Sequence, residues 1–384
     1  MKFIHIADVH LGAVPDSNMP WGADREKEIW TSFQNIITVC NEQKADLLLI
    51  AGDLFHRQPL VRELKEVNYI FSKLETAKVV MMAGNHDFIG ARSYYQGFEW
   101  DSRVHMLMDD SLECVEFPEL NTSVYGFSYH AKDIIRPLYD SVKSEKNGKI
   151  QILLAHGGDE KDVPINFKKL GDAGFDYVAL GHIHKPEVMS SNMAYSGSLE
   201  PLDKNETGDR GYILGEVTAE GKRKTTIMFI PSSIRQYKRI DLLVTPDTTN
   251  GALLDQAAEV IKKNGKQHIY QFCIKGLRDE TIHFDKQAFY QKVDYSKGNY
   301  SPWDNYPENN PMGNNYPGNN SLGNVLEVTD ESVPDYDFDA LFRENSDNMI
   351  GMFIKKIKES EKQDEVTKKA LYYGIEALLG ARDR

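Results

Sequence analysis

Only three cysteines, Cys40, Cys114 and Cys273, occur in 384 residues, scattered and odd in number. That argues against a disulfide framework and against a zinc ribbon, and for a reducing compartment. No apolar run approaches the roughly 18 residues a membrane helix needs, so no membrane partner is expected. The opening stretch MKFIHIADVH is interrupted by His5 and Asp8 before a secretory apolar core could form, which leads us to expect a cytoplasmic protein. Positive charge is short as well: 45 Lys and Arg stand against 58 Asp and Glu, a net charge of −13. Taken alone, this counts against nucleic acid, whose phosphates are normally met by Lys and Arg. Two points soften it. Bound divalent cations add positive charge where a phosphodiester must sit. The acid is also unevenly spread. Residues 327–347 are rich in Asp and Glu, whereas GKRK (Gly221 to Lys224) and RQYKR (Arg235 to Arg239) are basic.

The length allows more than one domain. Short apolar runs at Phe3 to Ala7, Leu47 to Ala51, Val79 to Ala83, Ile150 to Ala155 and Tyr177 to Gly181 predict buried strands. Helices are predicted between them. Glu26 to Asn41 places Ile29, Phe33, Ile36 and Ile37 in phase, and Glu63 to Lys73 does so with Leu64, Val67, Ile70 and Phe71. This alternation implies an α/β layered core with functional loops at strand ends. Tyr212 to Val217 and Thr225 to Pro231 read as a hairpin. The first domain is therefore placed at residues 1–234. A β-α-β unit at 235–295 is too small for a large core alone and is expected to pack as a cap. Residues 296–324 collapse into Asn, Pro, Gly and Tyr and read as a linker, because such a tract cannot bury enough apolar surface. Helical patterning resumes over 325–384, with stripes at Ile350, Phe353, Ile354, Ile357 and at Leu371, Ile375, Leu378, Leu379, and an N-cap expected within Asn345 to Asp347.

Five of the strand-like runs end in groups suited to metal. Asp8 and His10 follow the first, in IADVHLG; their spacing puts both on one face of an ideal strand. Asp53 follows in AGDLFH, and its two oxygens can bridge two cations. Asn85 comes in AGNHD, His156 in LLAHGG, and His182 with His184 in LGHIH. One ion is expected on Asp8, His10, Asp53 and His184, and a second on Asp53, Asn85, His156 and His182. Mixed nitrogen and oxygen donors suit Mn²⁺, Fe²⁺ or Zn²⁺ better than Ca²⁺ or Mg²⁺. Two such ions roughly 3.5–4 Å apart polarise a phosphoryl oxygen and acidify water, which points to phosphate-ester hydrolysis. His86 is the candidate proton donor to the leaving oxygen, with Asp87 expected to orient it and hold it protonated. A lone D-x-H is a weak signal and a lone GD weaker still; GNHD is better, GHIH adds a second same-face His pair, and the occurrence of all five in order carries the reading. His5 reads as a packed strand residue; His105, His130, His268 and His283 read as surface or satisfied packing histidines.

The order D-x-H, GD, GNHD, H, GHIH resembles the calcineurin-like metallophosphoesterase superfamily. IHIADVHLG, ADLLLIAGDLFH, GNHD and YSGSLEP narrow the resemblance to SbcD-type DNA repair exonucleases over roughly the first 230 residues. The resemblance implies a four-layer α/β/β/α sandwich with a small α+β capping domain and a C-terminal helical tail. It places the family's metal ligands on the seven residues above, its catalytic histidine on His86, and a substrate-phosphate positioning role on His56. It further implies two divalent metal ions, most often Mn²⁺, a homodimer, and an SbcC-like coiled-coil ATPase bound through the C-terminal helices.

The function expected is a metal-dependent DNA exonuclease, with or without endonuclease activity, acting in double-strand-break repair. Arg235, Lys238 and Arg239 are candidate DNA contacts, against the alternative of ordinary solvated surface. The metal ligands alone leave open a phosphodiesterase or phosphatase acting on nucleotides or phosphoproteins, because function on one fold is set by the surrounding site. A non-catalytic DNA-tethering scaffold is the third reading; it has no need of a general acid such as His86.

Overall fold

The computed structural model describes residues 1–145, 147–218, 223–290, 322–360 and 364–382. They fall into two units, Met1–Tyr237 and Lys238–Arg384. Most of the expected linker, and Gly221 and Lys222 of the basic turn, lie outside the described residues.

In the first unit β1 (Lys2–Ile6), α1 (Gly22–Gln43), β2 (Leu47–Ala51), α2 (Val61–Phe71), β3 (Lys78–Met82) and β4 (Val104–Leu107) follow one another. Next come β5 (Glu113–Phe117), β6 (Thr122–Gly126), β7 (Ile150–His156), α3 (Phe167–Gly171), β8 (Tyr177–Gly181), β9 (Glu187–Ser190) and β10 (Met193–Tyr195). The hairpin β11 (Gly211–Thr218) and β12 (Lys224–Pro231) completes the set. One sheet has the order β12-β11-β1-β2-β3-β4 and the other β5-β6-β7-β8-β10-β9. The neighbours from β1 to β4, and those from β6 through β7 and β8 to β10, run parallel. Parallel strands are covered on both faces, which is why LLLIA and IQILLAH are buried throughout instead of alternating.

Four layers result. α1 and α2 lay Ile29, Phe33, Ile36, Leu64, Val67 and Phe71 on the outer face of the first sheet. Phe3, Leu47, Leu49 and Val80 of that sheet meet Val124, Ile152, Leu154 and Tyr177 of the second. Leu153, Val178 and Leu180 pack outward against Leu170 of α3. Each fully buried aliphatic side chain contributes about 1.5–3 kcal/mol. The parallel strands of both sheets end toward the loops that carry the candidate ligands, where open α/β sheets bind their ligands.

In the second unit β13 (Tyr237–Val244), β14 (Ile269–Arg278) and β15 (Asn324–Asp330) form one sheet, and β16 (Val333–Pro334) also pairs with β14. Helix α4 (Asn250–Asn264) covers it with Leu253, Leu254, Ala257 and Ile261. The start of the region expected to be a helical tail is thus strand: β15 pairs in parallel with β14. Its buried Val325 and Val328 are three apart, a helix-like spacing that a register shift opposite Tyr270 and Gln271 allows in the strand. The tail proper is α5 (Phe338–Glu344), α6 (Met349–Lys358) and α7 (Glu365–Arg382). Its apolar stripes cover one another, with Ile350, Ile354 and Ile375 buried among Phe338, Leu341, Phe353 and Leu371. The cap of α6 is Asn348, one residue beyond the expected stretch; its Oδ1 accepts from the N–H groups of Ile350 and Gly351.

Candidate metal centre

The strands stop just short of the ligands. β1 ends at Ile6, and Asp8 and His10 then adopt left-handed backbone, with φ of 51° and 52°. Asp53 and His182 do the same at 50° and 94°. Strand alternation was the expected reason for Asp8 and His10 to share a face; the actual reason is this pair of left-handed turns. The turns are held by ladder-like bonds between loops. Asp8 N–H donates to Gly52 O, His10 N–H to Asp53 O and Leu11 N–H to Leu54 O. Such conformations cost of order 1–3 kcal/mol each and persist only where the surroundings impose them. The motif glycines have a separate reason. A Cβ on Gly84 would lie 2.3 Å from Asp53 Oδ1 and 2.7 Å from His156 Nε2.

The loops bring the predicted ligands together. His10 Nε2 lies 2.9 Å from His184 Nε2 and 3.8 Å from Asp53 Oδ2. The same Asp53 oxygen is 3.5 Å from His156 Nε2, which is 3.0 Å from Asn85 Oδ1. Ligand atoms of Asp8, His10 and His184 lie within 4.8 Å of one another, as do those of Asp8, Asp53 and His156. His182 joins through its backbone N–H, which donates to both Asp8 oxygens, and its ring centroid is 5.3 Å from that of His156. Its Nε2 is turned away, onto Asp159 Oδ2 at 2.9 Å.

Electrostatics show what the cluster needs. Asp8 and His10 are completely buried; burial pushes the Asp8 carboxyl up and the His10 imidazole down. Burial would also raise Asp53, but the imidazole of His156 holds it well below the usual carboxylate range. In return Asp53 lifts His156 to about 9 against the effect of burial. Buried carboxylates are costly unless paired or coordinated. Oxygen and imidazole donors without thiolate, gathered around two buried carboxylates, are what divalent cations accept.

A family profile described as calcineurin-like phosphoesterase matches residues 1–186, a span that holds all seven of these residues. The DNA double-strand break repair protein Mre11 of Methanocaldococcus jannaschii is 30% identical over 264 residues, 63% of this chain and 69% of its own. The chain belongs to the calcineurin-like metallophosphoesterases. An uncharacterised metallophosphoesterase of Bacillus subtilis, YhaO, is 29% identical over 73% of both chains. The SbcD component of the nuclease SbcCD of Staphylococcus epidermidis is 25% identical over 73% of this chain and 80% of its own. The family binds two divalent metals, and the donors of this metallophosphoesterase fit such a pair.

Other predicted residues fall differently around the metallophosphoesterase centre. His86 is half-buried beside the ligands; its N–H donates to Asp53 Oδ1 and its Nδ1 lies 3.0 Å from His56 O. The His56 and His86 rings stack at 5.2 Å, and His56 Nδ1 is 3.4 Å from His10 Nδ1. Burial, then His86, lowers His56. Asp87 does not orient the His86 ring. It is fully buried, and its oxygens accept from Gly84 N–H, Phe55 N–H and Tyr95 Oη. It ties the GDLFH loop to the GNHD loop, and burial raises it to about 6. Arg235 is not an accessible DNA contact either. It is 8% exposed and its guanidinium is bonded to Glu28, while its N–H reaches Glu200. Lys238 is half-buried and Arg239 exposed, both on β13 of the second unit.

Three carboxylates next to the ligands escaped the sequence reading: Asp159, Asp162 and Glu206. Asp159 sits only three residues past His156, a hint that was available. Glu206 carries no local pattern; it meets His184 across 22 residues of chain.

Proposed function

We propose that this metallophosphoesterase is a metal-dependent DNA nuclease of the break-repair type, using two divalent cations that we take to be Mn²⁺. The observation that carries the reading is the cluster of Asp8, His10, Asp53, Asn85, His156 and His184 with His86 at its edge, in a chain whose relatives are named a DNA double-strand break repair protein and a nuclease subunit.

Asp8, His10, Asp53 and His184 would hold one cation, and Asp53, Asn85, His156 and His182 the other. When bound, the pair supplies Lewis acidity to the phosphoryl oxygens and lowers the pKa of water. The remaining work belongs to side chains. His86 Nδ1 is engaged by the His56 carbonyl, which leaves Nε2 as the nitrogen that passes a proton to the leaving oxygen. His56, stacked on that ring, positions the substrate phosphate. Asp87 keeps the two loops in register through Phe55 and Gly84. Exonucleolytic cleavage, a homodimer, a cytoplasmic location and an SbcC-like ATPase docked on the C-terminal helices complete the proposal. None of the helices described is long and apolar enough to cross a membrane.

The test uses end-labelled duplex and single-stranded DNA, bis-p-nitrophenyl phosphate and a phosphopeptide, each with Mn²⁺ and with chelator. Mn²⁺-dependent shortening of DNA is expected. Cleavage of the small diester or the phosphopeptide with DNA untouched would reject the nuclease reading, and no turnover at all would favour a scaffold.

A further inference from the structure

The two histidines of GHIH are each tied to a carboxylate, and to opposite ring nitrogens. His184 Nδ1 lies 2.6 Å from Glu206 Oε1, so its Nε2 is the nitrogen that meets His10. His182 Nε2 lies 2.9 Å from Asp159 Oδ2, so only Nδ1 remains for the cluster. A neutral imidazole has one N–H and one lone pair; whichever nitrogen donates to a carboxylate leaves the other to bind a cation.

Both carboxylates are themselves anchored. Asp159 Oδ1 accepts from the N–H groups of Lys161 and Asp162, which frees Oδ2 for His182. Glu206 Oε2 accepts from Leu202 N–H, which frees Oε1 for His184. His156 is handled differently, with Nδ1 on the backbone carbonyl of Ala51. Asp162 stands close behind Asp159. Its Oδ2 is 3.8 Å from His182 Nε2 and its Oδ1 is buried without a partner.

We propose that Asp159 and Glu206 are positioning residues that fix which nitrogen each GHIH histidine turns to the metals: Nδ1 of His182 and Nε2 of His184. The inference rests on the two-metal reading and adds a separate handle for each histidine. The Asp159 side chain is 49% exposed, so its bond to His182 contributes little to folding and its removal is a clean probe.

The experiment is a calorimetric titration of Mn²⁺ into metal-free, full-length protein, with melting temperatures in chelator as a folding control. Wild type is expected to take up two equivalents. Asp159→Asn and Glu206→Gln are each expected to weaken one of the two binding steps by about 10–100-fold, leaving the other step and the metal-free melting temperature unchanged. Asp159→Glu, which keeps the acceptor, is expected to recover part of the loss. Unchanged affinities in both single variants would overturn the proposal. So would a third equivalent in wild type that Asp159→Asn abolishes, because Asp159, Asp162 and His182 would then be a cation site of their own. Fewer than two equivalents in wild type would overturn the two-metal reading itself, and this inference with it.

Discussion

All eight non-glycine residues with positive φ among the described residues lie in the first unit, and four of them are Asp8, His10, Asp53 and His182. The same unit buries Asp8, His10, Asp53, Asn85, Asp87 and His156, whereas the second buries only Arg278 and Asn345 among its described polar residues. The second unit is built by ordinary means. Thr249, Asp337 and Asn348 cap its helices, and aliphatic and aromatic residues fill its two cores. Left-handed backbone and buried charge coincide in the first unit at Asp8, His10 and Asp53, where bound cations would offset their cost. Strain and buried charge therefore mark the working part of the molecule.

Substitutions should separate the two units, beginning at the metal centre. Asp53→Asn removes the carboxylate that faces both His10 and His156; hydrolysis of any phosphodiester is expected to fall by roughly 10³-fold or more, the scale of several kcal/mol of lost charge stabilisation. Measured kcat/KM within tenfold of wild type would contradict its place. His86→Ala is expected to lower kcat by about 10²–10⁴-fold while Mn²⁺ uptake stays intact, which separates proton transfer from metal holding. Full activity in that variant would remove His86 from the mechanism.

The second unit should respond through folding alone. Ile354→Ala empties a fully buried site between α6 and its neighbours and is expected to cost about 2–5 kcal/mol in denaturant unfolding of that unit. Turnover of bis-p-nitrophenyl phosphate should be unaffected at temperatures where the variant is folded; a lost kcat would show that the contrast is false.

A smaller effect concerns His5, buried beside Tyr177 with its Nδ1 2.8 Å from the hydroxyl. Burial lowers its pKa to about 3. Between that value and the unfolded value of about 6.5 the unfolded chain binds the extra proton, so stability falls as pH falls below about 6.5. In chelator, wild type should lose up to about 1.4 kcal/mol per pH unit more than His5→Gln between pH 6 and 5. Parallel slopes would mean that the imidazole is protonated inside the fold. Least of all, Asn348→Ala should cost about 1 kcal/mol as an N-cap, read as a shift in unfolding midpoint with activity unchanged.

Much of the first unit could be read in advance because its signals are local. Buried parallel strands appear as unbroken apolar runs, and α1 and α2 as stripes such as Ile29, Phe33, Ile36 and Leu64, Val67, Ile70. Metal-ligating types cluster where those runs end. What escaped is set by backbone turns and by contacts distant in sequence. Asp8 and His10 share a site because both are left-handed, which no spacing rule encodes. Asp87 follows His86 directly yet faces Gly84, Phe55 and Tyr95, because a fully buried carboxylate goes where N–H and O–H donors are. Arg235 read as basic surface because its partner Glu28 lies 207 residues away. The strand β15 was hidden by its pairing with β14, a contact made across the low-complexity stretch.

The buried carboxylates and imidazoles at the strand ends are expected to hold two cations. Crystals grown with Mn²⁺ and measured at the manganese absorption edge test this directly. Two anomalous peaks are predicted, one on each side of the Asp53 carboxylate, the first also touching His10 and His184 and the second His156 and Asn85. A single peak, or peaks confined to Asp159 and Asp162 away from Asp53, would contradict it.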